Sequence, residues 1–391
     1  MALNAMAEDA ASFIAGDALA EDRARAKRDS LLHVFPNFDI GGVPLRMVRI
    51  INHFGGRFRH SIIALDGNFG AAERLAEGID VRLIEPPPRR RGMLRSSLAG
   101  ATALRKLRPD LVATYNWGAI EWAIASRLSG VARHIHFESG FGKEEADRQI
   151  RRRVLCRRWA LAGCERVVVP SRKLEELARR VWKLPAGRVT YLPNGIDVER
   201  FAALDHDAVP GFARRPGELV VGTVAPLRPE KNIGRLIRAF AILSGRLAAR
   251  LVVAGEGVER ASLARLAAEL GIADRVTFTG QVPPETVLGG FDVFALSSDT
   301  EQMPNALLEA MAASRAVAAV DVGDVKAMLG EENRQFIVPR DHPDGFAAAI
   351  ERLLREPATR AQLGRKNREK AVADFSQERM FAAYSEILGG P

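Results

Sequence analysis

Cysteine is nearly absent from this chain of 391 residues, which has only Cys156 and Cys164. Two thiols cannot make a disulfide framework, and their spacing matches no metal site. A reducing cytoplasm is the simplest compartment for such a chain. Nowhere do about eighteen apolar residues run together, so no membrane-spanning helix is expected. Residues 1–29, rich in alanine and acids, lack a basic stretch followed by an apolar core. No secretory signal is expected there, and the stretch reads as a flexible or weakly helical tail. Aromatic residues make up 6% of the chain, and few lie near its basic clusters. That counts against nucleic acid held by base stacking.

What the chain has is length, a full complement of apolar residues and positive charge. It is 47% hydrophobic, enough to build the cores of two ordinary domains. The net charge of +9 favours a partner with phosphates, whether nucleic acid, an anionic bilayer or a phosphorylated small molecule. Charge alone does not choose among them.

Short apolar runs alternate with amphipathic stretches. "LLHVF" (31–35), "HSIIALD" (60–66), "VRLIE" (81–85), "LVATY" (111–115), "HIHFE" (134–138) and "RVVVP" (166–170) read as buried strands. The rhythm restarts after residue 210 with "LVVGTVA" (219–225), "ARLVVAG" (249–255), "RVTFTG" (275–280), "DVFALSS" (292–298) and "RAVAAVD" (315–321). Strands separated by helices predict parallel sheets covered on both faces. The segment 191–218 has proline, glycine and charge without a period and reads as a linker. The expected class is therefore α/β, with two doubly wound, Rossmann-like domains facing each other across a cleft that both carboxyl edges line. The expected boundaries are 30–205 for an acceptor-side domain and 206–371 for a donor-side domain. Residues 372–391 are expected to form a helix packing back on the first.

The second half carries the sharper chemistry. In "TEQMPNALLEAMA" (300–312) Glu301 precedes Pro304, which suits the first helical position, and Glu309 lies inside the helix. Were the whole stretch helical, the two carboxylates would lie about 12 Å apart. With Glu301 in a loop, both can line one pocket beside the free N–H groups of Asn305, Ala306 and Leu307, a ready anion site. Carboxylates accept hydrogen bonds from vicinal hydroxyls. A ligand with phosphates in the middle and a sugar at each end, a nucleotide-sugar, satisfies the arrangement. Arg228 and Lys231 in "VGTVAPLRPEKNI" (221–233) follow the first strand of this half and can neutralise a diphosphate. The alternative is a solvated turn capping a helix at Asn232. "GEG" (255–257) is an incomplete dinucleotide fingerprint and carries little by itself.

Together these motifs resemble the retaining glycosyltransferases of family 4, which have the GT-B fold. The likeness rests on Glu301-x7-Glu309 and on "LRPEKN", "AGEGVER", "VTFTGQV" and "VDVGDV" in the second half. In the first half it rests on "LHVFPNFDIGG" and "YLPNGIDVERF". The resemblance implies that Glu309 holds the nucleotide ribose and Glu301 the transferred sugar, while Arg228 and Lys231 face the diphosphate. The family often has arginine five residues before the lysine, where this chain has Pro226, so Arg228 would have to substitute from three residues before. Gly41 and Gly42 in "DIGGVPLR" either cover the donor phosphates, as the resemblance implies, or make a tight strand-to-helix turn. Neither metal nor other cofactor is implied, since the nucleotide-sugar is a substrate.

"RHIHFESGFG" (133–142) places His134, His136 and Glu138 on one strand face. A metal site is the sharper reading, but no third ligand of matching context accompanies the pair. The family's sugar-contacting histidine aligns with Ser139, leaving His136 as a candidate catalytic group and Glu138 and Ser139 as candidate cleft-lining residues. Asp205-x-Asp207 reads as a solvated loop. Two arginine clusters, 86–97 and 147–160, are either solvated faces or contacts for an anionic membrane or lipid phosphate. The implied function is transfer of a sugar from a nucleoside-diphosphate sugar to a glycan or lipid-linked acceptor, in the cytoplasm or at the inner membrane face. Two rivals stand beside it. One is an epimerase or hydrolase on the same scaffold; the other is a non-catalytic basic protein that binds anionic membrane.

Overall fold

The computed structural model describes residues 28–87, 92–130, 132–141, 143–145, 148–205, 209–211 and 213–389. Most of the expected tail, Arg89–Arg91 of the first arginine cluster and Asp207 lie outside the described residues.

The chain divides into two compact units. The first runs to Ser139 and takes in Arg151–Val168 and Trp182–Thr190. Its sheet has seven strands: β1 (Ser30–Phe35), β2 (Arg59–Ala64), β3 (Val81–Ile84), β4 (Leu111–Tyr115), β5 (Arg133–Phe137), β6 (Arg166–Val169) and β7 (Val189–Tyr191). They lie in the order β3-β2-β1-β4-β5-β6-β7, with parallel pairing from β3 through β6. Strand order therefore reverses direction between β1 and β4, the doubly wound pattern.

The second unit holds Gly140–Ile150, Val169–Val181 and everything from Tyr191. Its six strands are β8 (Leu219–Val224), β9 (Ala249–Ala254), β10 (Val276–Gly280), β11 (Val293–Leu296), β12 (Ala316–Val320) and β13 (Ile337–Val338). The order β10-β9-β8-β11-β12-β13 is parallel throughout and reverses between β8 and β11. Val220, Val221, Leu251, Val252, Val253, Phe294, Val317 and Val320 are all fully buried. Apolar residues at successive positions are what a sheet covered on both faces requires.

Each strand foreseen from the sequence is present, with ends shifted by a residue or two. Two were not foreseen: β7 has three residues and β13 two, too short to show as an apolar run. The segment read as a linker is largely structural. Ile196, Val198 and Phe201 are buried in the second unit's core, and Ile196 bridges to Ser376. The helix Gln377–Gly389 also groups with the second unit, where Gln377 N–H donates to Ile196 O at 2.9 Å and Gly195 N–H to Met380 Sδ at 3.2 Å.

Candidate active site

The reversal between β8 and β11 parts the loops that follow these two strands and opens a crevice at the carboxyl edge. One loop carries Arg228 and Lys231, the other Glu301. Lys231 Nζ donates to Glu301 Oε1 at 2.6 Å, with the side chains 18% and 11% exposed. Topology thus brings together two charges that stand 70 positions apart in sequence.

The pair sits on a braced frame. Asn232, at φ 44°, caps the helix Ile233–Ser244 by accepting the Arg235 N–H at 3.1 Å. Its amide also donates to both Asp299 oxygens, at 3.2 and 3.0 Å. Arg235 adds bonds to Asp299 Oδ1 and to Ser297 O, both at 2.7 Å. Ser297 Oγ donates to Lys231 O at 3.1 Å, and Ser298 Oγ to Glu301 Oε1 at 2.8 Å. Glu301 Oε1 therefore has two protein donors, while among the described residues no donor reaches its Oε2. Lys231 spends one of its three N–H donors on Glu301. An acceptor oxygen and spare ammonium donors are left side by side.

Arg228 is placed differently. Its side chain is 57% exposed and lies 3.3 Å from Glu230, so Lys231 is the cation the frame holds in place. The glycines of "GEG" have a local reason. Gly255 has φ 144°, and a Cβ there would collide with Ala225 O; one on Gly257 would collide with Leu227 O. Their backbone packs against the loop that carries Lys231, which only glycine permits. Gly323 of "VDVGDV" lies under the other loop: at φ 53°, a Cβ would fall 2.5 Å from Glu301 O.

Pro304 is extended (φ −70°, ψ 121°), and the helix runs Asn305–Ala312. Leu307 N–H already donates to Pro304 O at 3.2 Å, so Asn305 and Ala306 supply the first-turn amides. The Asn305 side chain accepts from Asn194 Nδ2 at 2.9 Å. Glu309 is half-buried in the helix. Arg260 stacks on Phe278 at 4.0 Å, beside the Phe278–Val282 stretch.

Several residues of this site carry no sequence signal. A cavity of about 330 Å³ beside Glu301 is lined by Lys173, Asp299, Gln302, Asp321 and Arg340 among others. Ser171 Oγ donates to Gln302 Oε1 at 3.0 Å. The Asp324 carboxylate accepts the N–H groups of Arg172 and Lys173, at 2.5 and 3.1 Å, which caps the helix Arg172–Arg180. A carboxylate capping a helix about 150 positions earlier in the chain leaves no local pattern.

In the first unit the expected residues lie at the ends of β1 and β5. Gly41 is extended at φ −171°, and an added Cβ would make only ordinary contacts. Nothing inside the unit demands glycine there. Ser139 N–H donates to Asn116 Oδ1 at 2.8 Å, and Arg46 donates to Ser139 Oγ at 3.0 Å. His136 and Glu138 are wholly buried. His134 Nε2 and His136 Nδ1 both bond Thr114 Oγ1 at 2.8 Å, and Cys164 Sγ lies 3.2 Å from His134 Nδ1. Burial lowers the pKa of His134 to about 3 and raises that of Cys164 to about 12.

Arg157, counted by sequence in a surface cluster, is 1% exposed. Its guanidinium lies 4.8 Å from the Trp117 ring and 5.1 Å from Trp182, with Nε 3.6 Å from Glu138. The signal was the inward apolar pair Ala160 and Leu161, one helical turn beyond it.

Comparison with known proteins bears on this geometry. The family model for group 1 glycosyl transferases matches residues 209–370, and that for glycosyltransferase family 4 matches 40–200. The D-inositol 3-phosphate glycosyltransferase of Saccharomonospora viridis is 30% identical over 351 residues, covering 81% of this chain and 80% of that protein. The 2-deoxystreptamine N-acetyl-D-glucosaminyltransferase of Streptomyces fradiae is 26% identical over 372 residues, covering 86% and 87%. Among solved structures, Anabaena HepE in complex with UDP superposes with a TM-score of 0.78 at 16% identity, covering 92% of this chain and 99% of that one. The fold is thus that of the GT-B enzymes, and the chain belongs to the family 4 glycosyltransferases.

Proposed function

We propose that this glycosyltransferase takes its donor at the crevice between β8 and β11 and transfers the sugar with retention at the anomeric carbon. The observation that carries this reading is Glu301, with one oxygen bonded to Lys231 and Ser298 and the other open. The open oxygen suits a hydroxyl of the transferred sugar. The spare N–H donors of Lys231 suit the adjoining diphosphate, assisted by Arg228 and the first-turn amides of Asn305 and Ala306. Glu309 holds the ribose.

In the step itself, the bond from the anomeric carbon to the diphosphate oxygen breaks, and a bond to the acceptor oxygen forms on the same face. The acceptor's proton passes to the departing phosphate oxygen. Lys231 stabilises the charge that develops there, the part a divalent cation would otherwise play. Transfer should therefore persist in EDTA.

A lipid-linked acceptor at an anionic membrane has one observation behind it. Leu94, Leu98, Leu155 and Trp159 are between 49% and 68% exposed, on two helices joined where Cys156 Sγ meets Met93 Sδ at 3.6 Å. Arg95, Arg151, Arg152 and Arg158 are exposed on the same helices. Apolar groups ringed by cations suit the boundary of an anionic bilayer. Among the described residues no helix is long and apolar enough to cross a membrane, so contact would be peripheral.

Transfer from radiolabelled nucleotide-sugars tests the site, and NMR of the product's anomeric proton tests retention. Loss of transfer in Glu301→Ala and Lys231→Ala is expected; retained transfer in both would overturn the assignment. For the membrane face, binding to anionic but not neutral vesicles is expected, with loss in Leu94→Asp/Leu155→Asp. Equal binding by that variant would remove the lipid reading.

A further inference from the structure

A second cavity, of about 530 Å³, lies at the opposite edge of the first sheet, where β1, β2 and β3 begin. Its lining includes Ser30, Arg59, His60, Ser61, Asp80, Arg82 and Arg108. Substrate sites of doubly wound sheets lie at the carboxyl edge, so the proposed donor crevice gives this cavity no role.

Two features set it apart. Several arginines elsewhere find carboxylates: Arg133 pairs with Glu165 at 2.7 Å, Arg235 with Asp299 at 2.7 Å and Arg250 with Glu218 at 3.3 Å. Arg59, Arg82 and Arg108 make no ion pair among the described residues. Asp80 is the one acid in the lining among the described residues. Asp110, close enough to feel Arg59, is held by the Ser30 N–H and hydroxyl at 2.8 Å each. Three forked cations thus border one cavity without an ion-paired carboxylate among the described residues, Arg59 Nε donating only to Arg28 O at 3.3 Å.

The other feature is His60, which is 2% exposed and lines the cavity. Its Nδ1 is committed to His33 Nε2 at 3.0 Å, and His33 Nδ1 in turn to the Tyr115 hydroxyl at 2.9 Å. The rings of His33 and His60 stack at 5.3 Å, which fixes their orientation. His60 Nε2 is left buried with no hydrogen-bond partner among the described residues. A buried polar nitrogen of this kind calls for a bound group or an ordered water.

We infer that the amino edge of the first sheet is a binding site for a small phosphorylated molecule, gripped by Arg59, Arg82 and Arg108 with His60 at its base. Arginine forks bind phosphate oxygens in pairs, and the volume falls within the range of small-molecule sites. The Ser61 hydroxyl is a further donor.

Calorimetric titration with inorganic pyrophosphate tests this on the full chain. Two binding events are expected in the wild type. The event at the donor crevice should be displaced by a nucleoside diphosphate and lost in Lys231→Ala. The other should resist displacement and weaken at least tenfold in Arg82→Gln/Arg108→Gln. Both arginines are exposed, so folding should survive, and an unchanged melting temperature checks that. His60→Gln should weaken the same event while leaving the donor event intact. A single event, or a second one indifferent to the arginine substitutions, would overturn the site.

Discussion

The two units share a topology and differ in where they keep their polar groups. In the second, the strands are almost wholly apolar and the charges stand at the carboxyl edge, where Lys231 bonds Glu301 and Asn232 and Arg235 hold Asp299. In the first, polar groups run through the interior: His33, His60, Thr114, His134, His136, Glu138 and Arg157 are all buried. Edge charges can meet a ligand at little cost, because water satisfies them when the site is empty. Interior polar groups must satisfy each other, and the first unit's network does so only in part. His136 Nε2 and both Glu138 oxygens lack a hydrogen-bond partner among the described residues, Glu138 being held by the charge of Arg157 with Nε at 3.6 Å. One unit is organised for chemistry, the other spends stability on a polar core.

That contrast can be broken from either side. The largest effect should come from the edge. Glu301→Ala or Lys231→Ala should cut kcat by roughly 10²–10³-fold in a transfer assay, with the melting temperature nearly unchanged. In the interior the weighting reverses. Arg157→Ala strands Glu138 as a buried charge and should cost about 3–5 kcal/mol in urea unfolding. Arg157→Met/Glu138→Leu, which removes both charges, should recover most of that loss. If the double variant is as unstable as the single, the ion pair is not what Arg157 supplies.

Acid should separate the units next. Burial lowers the His60 pKa from 6.5 to about 4 and holds His33 well below its ordinary value. A ring kept neutral in the fold but free to protonate at 6.5 when unfolded favours the folded state fully above pH 6.5. Its contribution falls as pH drops towards 4, by about 3 kcal/mol for His60. Hydrogen exchange should show β1 and β2 opening across that window while β8 and β11 stay protected. The smallest effect belongs to Gly323→Ala, which forces a Cβ into a left-handed position against Glu301 O and should cost about 1–3 kcal/mol. It should also raise the KM for donor, because the loop it disturbs carries Glu301.

The same contrast explains what the sequence could reveal. Apolar runs between helical stretches are visible one residue at a time, so the long strands of both sheets were legible. So were Glu301 and Lys231, charges set just beyond apolar strands. Ile196, Val198 and Phe201 were read as linker because a core segment without a period looks like a loop. Arg157 was read as surface because its partners Trp117 and Trp182 stand 40 and 25 positions away, leaving only the neighbouring apolar pair Ala160 and Leu161 as a local hint. Asp324 caps a helix that lies far upstream. Each of these depends on long-range contacts that a local pattern shows weakly or not at all.

The second unit's crevice is central as the proposed nucleoside-diphosphate site. Thermal unfolding with UDP, GDP and ADP, without added metal, addresses it directly, since a ligand that prefers the fold raises the melting temperature according to its affinity. A rise with one of the three, lost in Glu309→Ala and reduced in Lys231→Ala, is the predicted result. No rise with any of them, or one that survives both substitutions, would contradict the account.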